Sequence, residues 1–181
     1  MRIAFFAPPL QGHLQPALVF AQALAARGHQ CFLVCHADTD CSPNDWARLV
    51  MDRTQCNWTP QDFIRHARLP SFPFGIRHIV SDMVKITNSL CQLAPDLLRA
   101  AGIDAVISDQ MEPAGALVAD HLNLPYVSFA AAHPINRERL IPLSVLSWPY
   151  EDSEAAARRN DSGEWIANKL TASHDRTIGQ W

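Results

Sequence analysis

A chain of 181 residues, 48% hydrophobic and 18% charged, has the length of one ordinary domain and the composition of a packed one, which excludes general disorder. Its net charge of -3 offers no electrostatic footprint for nucleic acid. The cysteines (Cys31, Cys35, Cys41, Cys56 and Cys91) contain no C-x-x-C pair, and the histidines no H-x-x-x-H or H-E-x-x-H spacing. Neither a disulfide framework nor a metal site is therefore expected, and the protein reads as cytoplasmic with reduced thiols.

Residues Ile3 to Ala26 carry no formal charge, but Pro8, Pro9, Gln11, Gly12, His13, Gln15 and Pro16 interrupt the run, so no secretion signal or membrane span is expected. Arg2 to Ala7 (RIAFFA) is instead a short apolar run closed by two prolines, which predicts a strand buried on both faces. The loop PPLQGH leads into a helix over Leu14 to Arg27, with Pro16 in its first turn and Gly28 as its stop. Cys31 to Cys35 (CFLVC) predicts a second strand, which completes a βαβ unit and implies a parallel sheet.

Between His36 and Pro73 no third strand is evident, and Trp46 to Met51 and Pro60 to Ala67 read as short helices. From Gly75, apolar residues Ile76, Ile79, Val80, Met83, Ile86, Leu90 and Leu93 recur at helical spacing; Pro95 ends or kinks the run, and a further turn runs to Arg99. Ala105 to Ser108 then predicts a strand, Glu112 to His121 a helix, and Pro125 to Ala130 another strand. The tail carries a helix start at Asp161, with Glu164 three residues later, running towards Ile178. The fold class is α/β, a Rossmann-like doubly wound parallel sheet.

In such sheets ligands bind beyond the carboxyl ends of the strands. Two loops there carry groups suited to chemistry: LQGHLQP places His13 after the first strand, and SDQMEP places Asp109 after a later one. A neutral imidazole can take a proton from a hydroxyl, and a carboxylate on its other nitrogen fixes the tautomer and stabilises the imidazolium. Spacing alone leaves open that His13 is an ordinary loop residue and Asp109 a helix cap. The single Gly12 does not make a G-x-G-x-x-G dinucleotide fingerprint, and neither a phosphate loop nor a G-x-S-x-G elbow is present.

The segment from Arg2 to Val34, with GHLQP at Gly12 to Pro16 and RGH at Arg27 to His29, resembles the opening of nucleotide-sugar-dependent glycosyltransferases of the two-domain GT-B architecture. VISDQMEPAGALVADHLNLPYVSFAAAHPINRE, GIRHIVSDMVKITNSLCQ and the tail ending HDRTI are similar to the zeaxanthin glucosyltransferase branch of that family. The fit is weakest from about Thr39 to Ser71.

The resemblance implies that His13 is the catalytic base and Asp109 its partner, that Gly12 lies near the donor, and that Phe74, Gln110, Met111 and His133 contact the acceptor. It implies no metal and no cofactor, with a UDP-sugar as co-substrate and a lipophilic acceptor such as a carotenoid diol. Residues 1–181 are then a single acceptor-binding domain, the N-terminal half of a GT-B enzyme, with the C-terminal donor-binding domain absent and the isolated chain inactive. The alternative reading is a non-catalytic subunit that docks a separate donor-binding chain, and a more distant one an unrelated flavodoxin-like ligand binder. An apolar patch at Phe72, Phe74, Ile76, Leu140, Ile141, Leu143, Val145, Leu146 and Trp148 is expected to line the acceptor cleft and to promote self-association or peripheral membrane contact. His66, His78 and His174 read as surface residues, and His29 as a helix C-terminal residue.

Overall fold

Alternate residues of the first strand, β1 (Arg2–Phe6), face opposite sides of a sheet and feed two separate cores. Ile3 and Phe5 join Leu33, Cys35 and Ile107 beneath Leu14, Ala17, Leu18 and Ala21 of α1 (Gln11–Ala25). Ala4 and Phe6 join Val34 and Val106 on the other face, covered by α2 (Pro60–Ala67), α3 (Phe74–Ala100) and α4 (Ala114–His121). This burial on both faces is why the strands read as unbroken apolar runs rather than as alternating ones. The computed structural model describes residues 1–41, 47–68, 74–135, 137–143 and 146–181, and the side chain of Phe74 lies outside that description.

With β2 (Gln30–His36), β3 (Ala47–Met51), β4 (Ala105–Asp109) and β5 (Tyr126–Phe129), the sheet has five parallel strands in the order β3-β2-β1-β4-β5. It is the α/β, Rossmann-like architecture that the sequence implies. The C-terminal helix α5 (Glu154–Ile178) lies against α3. No helix among the described residues is long and apolar enough to cross a membrane.

The third strand and the start of the tail helix differ from expectation. The segment read as a short helix from Trp46 is a strand: β3 pairs with β2 from Phe32↔Ala47 to His36↔Met51, while Trp46 itself lies outside the described residues. Arg48 anchors it by donating to Cys35 Sγ at 3.3 Å and to the carbonyls of His36 and Ala37. The long helix α3 does not end at Pro95 but continues to Ala100, matching the further turn expected to Arg99, with Leu90, Cys91, Ala94 and Leu98 buried on both sides of the proline. That burial offsets a helix-interior proline, which costs about 3 kcal/mol. The tail helix begins at Ser153, whose hydroxyl accepts from Ala156 N–H at 3.1 Å, two turns before Asp161. Asp161 is instead a mid-helix partner of Arg139 at 3.1 Å.

The histidines also divide differently. His174 is buried, bonded through Nε2 to Thr87 Oγ1 at 2.9 Å, rather than on the surface. His66 is half-buried and paired with Asp82, and His78 is exposed and stacked on it. His29 lies past the end of α1, beyond the positive-φ turn at Gly28. Of the expected apolar patch, Leu140 and Ile141 are exposed, while Ile76, Leu143, Leu146 and Trp148 are half-buried. Phe72 and Val145 lie outside the described residues.

Candidate active site at the crevice between the first and fourth strands

From β1 the chain winds over one face to β2; from β4 it winds over the other face to β5. The two central strands therefore diverge in connection, and a crevice opens beyond their carboxyl ends, where open α/β sheets bind ligands. Both candidate groups sit there. α1 starts at Gln11 rather than Leu14, so Gly12 and His13 belong to its first turn and His13 N–H donates to Leu10 O at 2.9 Å. Asp109 is the last residue of β4.

The Nδ1 atom of His13 lies 2.8 Å from Oδ2 of Asp109. The other carboxylate oxygen, Oδ1, accepts the Met111 N–H at 2.8 Å, so the turn after β4 fixes the carboxylate plane. The Asp109 side chain is fully buried, whereas His13 remains 18% exposed. With Nδ1–H held by the carboxylate, Nε2 is the unprotonated nitrogen that can take a proton.

His13 borders a cavity of about 170 Å³. Pro9, Leu10, Phe63, Ile79, Met83 and Ile86 form its apolar wall, and Glu112, Thr87 and His174 supply polar atoms besides His13. A half-buried base on an apolar hollow suits the deprotonation of a hydroxyl carried by an apolar molecule.

Two curated enzymes named zeaxanthin glucosyltransferase align with this chain. The one from Pantoea ananas is 35% identical over 98% of the chain and 42% of its own length; the one from Pseudescherichia vulneris is 33% identical over 97% and 42%. The chain is homologous to the zeaxanthin glucosyltransferases. It spans less than half the length of these relatives. No family model matches it. Among solved structures, the glycosyltransferase SnogD from Streptomyces nogalater superposes with a TM-score of 0.55 at 21% identity, over 94% of this chain and 42% of that one. The spinosyn rhamnosyltransferase SpnG, solved with thymidine diphosphate, gives 0.54 at 16%, over 72% and 35%. These two are likenesses of fold alone: the Rossmann-like sheet of this chain matches less than half of each of these GT-B glycosyltransferases.

Against this zeaxanthin glucosyltransferase relationship, the residues expected to meet the acceptor separate. Met111 lines the cavity. Gln110 does not: its amide is occupied at both ends, donating to His133 O at 2.8 Å and accepting from Ile135 N–H at 3.1 Å. It holds the loop after β5 in place. His133 is exposed on that loop and is not among the residues lining the cavity. Phe74 opens α3, and its side chain is outside the described residues. The site of Gly12 is open, with no atom within 4 Å of an added Cβ.

Sequence reasoning passed over Glu112. Its side chain is buried, and burial pushes its carboxyl up to about 8, with the Ala114 N–H opposing that shift and the Asp109 charge adding to it. Burial also lowers His174 and His36 below the ordinary imidazole value. Between the unfolded value near 4.5 and about 8, the folded chain keeps a Glu112 proton that the unfolded chain has lost, so stability falls as pH rises through that window. The two histidines act oppositely, weakening the fold below their unfolded value of 6.5. A difference measurement isolates the carboxyl. The melting temperature of Glu112→Gln minus that of the parent is expected to grow by about 3 °C or more from pH 5 to pH 8.5. A difference that stays flat with pH would mean that Glu112 is ionised in the fold.

Proposed function

We propose that this chain is the acceptor-binding part of a UDP-dependent glycosyltransferase in which His13, oriented by Asp109, is the catalytic base. The observation that carries this reading is the His13–Asp109 contact of 2.8 Å at the mouth of an apolar cavity. Nε2 of His13 removes the proton of an acceptor hydroxyl as its oxygen forms a bond to the anomeric carbon of the donor. The bond from that carbon to the diphosphate breaks, UDP leaves with the electron pair, and the proton stays on the imidazole, whose charge Asp109 balances. Gly12, in the open first turn of α1, is the residue the donor approaches, and the reaction needs neither metal nor cofactor.

The names of the relatives point to a hydroxylated carotenoid as acceptor. Cavity size refines this. An apolar cavity of about 150 Å³ takes up one benzene ring, so a hollow of about 170 Å³ that is open on one side receives the hydroxyl-bearing edge of the end ring of such a molecule and leaves the polyene outside. The exposed Leu140 and Ile141 then serve as apolar surface for that chain, for a second copy or for a membrane surface.

The 181-residue chain alone is expected to form no product from UDP-glucose and zeaxanthin and to bind UDP-glucose weakly. The relatives that carry the activity are more than twice as long, and a reaction of two substrates depends on holding both in register. Joined to the remaining part of the Pantoea ananas relative, it should form the glucoside. Turnover by the chain alone at about 1 s⁻¹ or faster would refute the half-site reading, and a joined enzyme inactive on every hydroxylated carotenoid would refute the proposed acceptor.

A further inference from the structure

Glu112 is placed with unusual care for a residue outside the dyad. Its N–H donates to Asp109 O at 2.9 Å, and its carbonyl accepts from Ser108 Oγ at 2.8 Å, which locks its backbone to the end of β4. The side chain is 4% exposed and lines the same cavity as His13. Oε1 accepts from Ala114 N–H at 3.3 Å; among the described residues no hydrogen bond reaches Oε2 and no cation pairs with the group. Thr87 and His174, the other polar residues of the wall, are bonded to each other. An uncompensated carboxylate in such surroundings is costly, and the neutral acid resolves the cost while leaving one O–H donor without an acceptor. The neighbouring negative charge of Asp109 favours the same state.

We infer that Glu112 holds the acceptor's oxygen: its protonated carboxyl donates a hydrogen bond to the hydroxyl oxygen of the ring that enters the cavity, while that hydroxyl donates to Nε2 of His13. The inference rests on the acceptor reading of the cavity and names a binding contact within it. One oxygen is then fixed by two groups on different elements, His13 from α1 and Glu112 from the β4–α4 turn. An apolar ring without the hydroxyl leaves both unpaired, so the site selects alcohols over hydrocarbons of the same shape. A donor on an oxygen that is losing its proton also meets the charge that develops there.

The test uses the 181-residue chain and two probes, 3-hydroxy-β-ionone and β-ionone, which share a ring and differ by one hydroxyl, with binding followed by calorimetry. The parent is expected to prefer the hydroxylated probe about three- to tenfold at pH 7. Glu112→Gln retains an N–H donor and should keep most of that preference. Glu112→Leu should cut it to the smaller part that the His13 contact alone supports, without weakening β-ionone. Raising the pH from 7 to 9.5 should lower the preference in the parent and spare it in Glu112→Gln, a comparison that holds even if the leucine variant folds poorly. The titratable groups facing Glu112 in that experiment are His13, Asp109, His174, His36, Cys35 and Cys91, and burial keeps both thiols neutral across it, at about 11 and about 12. Full preference in Glu112→Leu, or β-ionone binding with no preference in the parent, would overturn the role of Glu112 and leave the acceptor cavity standing. Failure of the parent to bind either probe would overturn the cavity reading and this inference together.

Discussion

His13→Ala, in the chain joined to a donor-binding half, is expected to lose about 10²–10⁴ in turnover, because an alcohol is too weak an acid to attack without a base. KM for the acceptor should rise only a few-fold, through the lost hydroxyl contact to Nε2, since most of the lost interaction develops in the transition state. The geometry makes Asp109→Asn as informative. Oδ1 of Asp109 is committed to the Met111 N–H at 2.8 Å. An asparagine keeping that bond must turn its amide N–H₂ towards Nδ1 of His13, which forces the proton to Nε2 and removes the base. The same tautomer error costs about 10⁴ in a serine-protease triad. Asp109→Ala, which imposes no tautomer, should be milder in turnover while losing about 1 kcal/mol of stability with the Met111 bond. Turnover and melting temperature on the same samples separate this from a purely structural pair. Stable His13→Ala and Asp109→Asn enzymes working within a few-fold of the parent would leave the contact as a fold-holding bond with no part in catalysis.

The dyad was legible for a topological reason. RIAFFA and AVIS are runs that only doubly buried parallel strands require, and the loops that follow such strands share one edge of the sheet, so residues 13 and 109 could be brought together without any local signal linking them. What failed to show were features decided by partners distant in sequence. ARLVM is too short for its periodicity to separate strand from helix, and it becomes β3 because the edge of β2 offers the backbone bonds that Arg48 then secures. Asp161 and Glu164 imitate a capping box, but the Ala-rich residues before them already propagate a helix that Ser153 starts. Glu112 stands in full view beside Asp109, yet nothing in a linear string tells a solvated acid from a buried one. Its burial comes from α3, whose Ile86 and Met83 share its cavity. Gln110, a polar residue beside the dyad, reads as a ligand contact, and the string does not show that the loop from His133 to Ile135 takes up its amide.

The tightest constraint near the site is steric. Gly115 is the second residue of α4, and a Cβ there would stand 2.5 Å from Cβ and Oγ of Ser108 and 3.2 Å from Cβ of Phe6. Both neighbours are fully buried and belong to the paired strands β4 and β1, where Phe6 is in register with Ser108. Neither can yield without shifting the strand that ends in Asp109. Gly115→Ala is therefore expected to cost about 2–3 kcal/mol, a drop of about 5–10 °C in melting temperature, despite the better helix propensity of alanine. Gly163 in α5 gives the control. Its added Cβ would approach 2.8 Å, but to the far edge of the half-buried Trp148 ring, a side-chain end rather than the backbone or Cβ of a paired strand. Gly163→Ala should stay within about 2 °C of the parent, the propensity gain of up to about 1 kcal/mol offsetting the displacement. Ser108→Gly in the Gly115→Ala background removes the atoms that collide, so the double variant should melt above Gly115→Ala although Ser108→Gly alone, losing the Oγ bond to Glu112 O, melts below the parent. That reversal of sign is the signature of a direct clash. Strictly additive losses would instead mean that α4 rides farther from the sheet than 2.5 Å implies, and with it that Glu112 has more freedom than its two backbone bonds suggest.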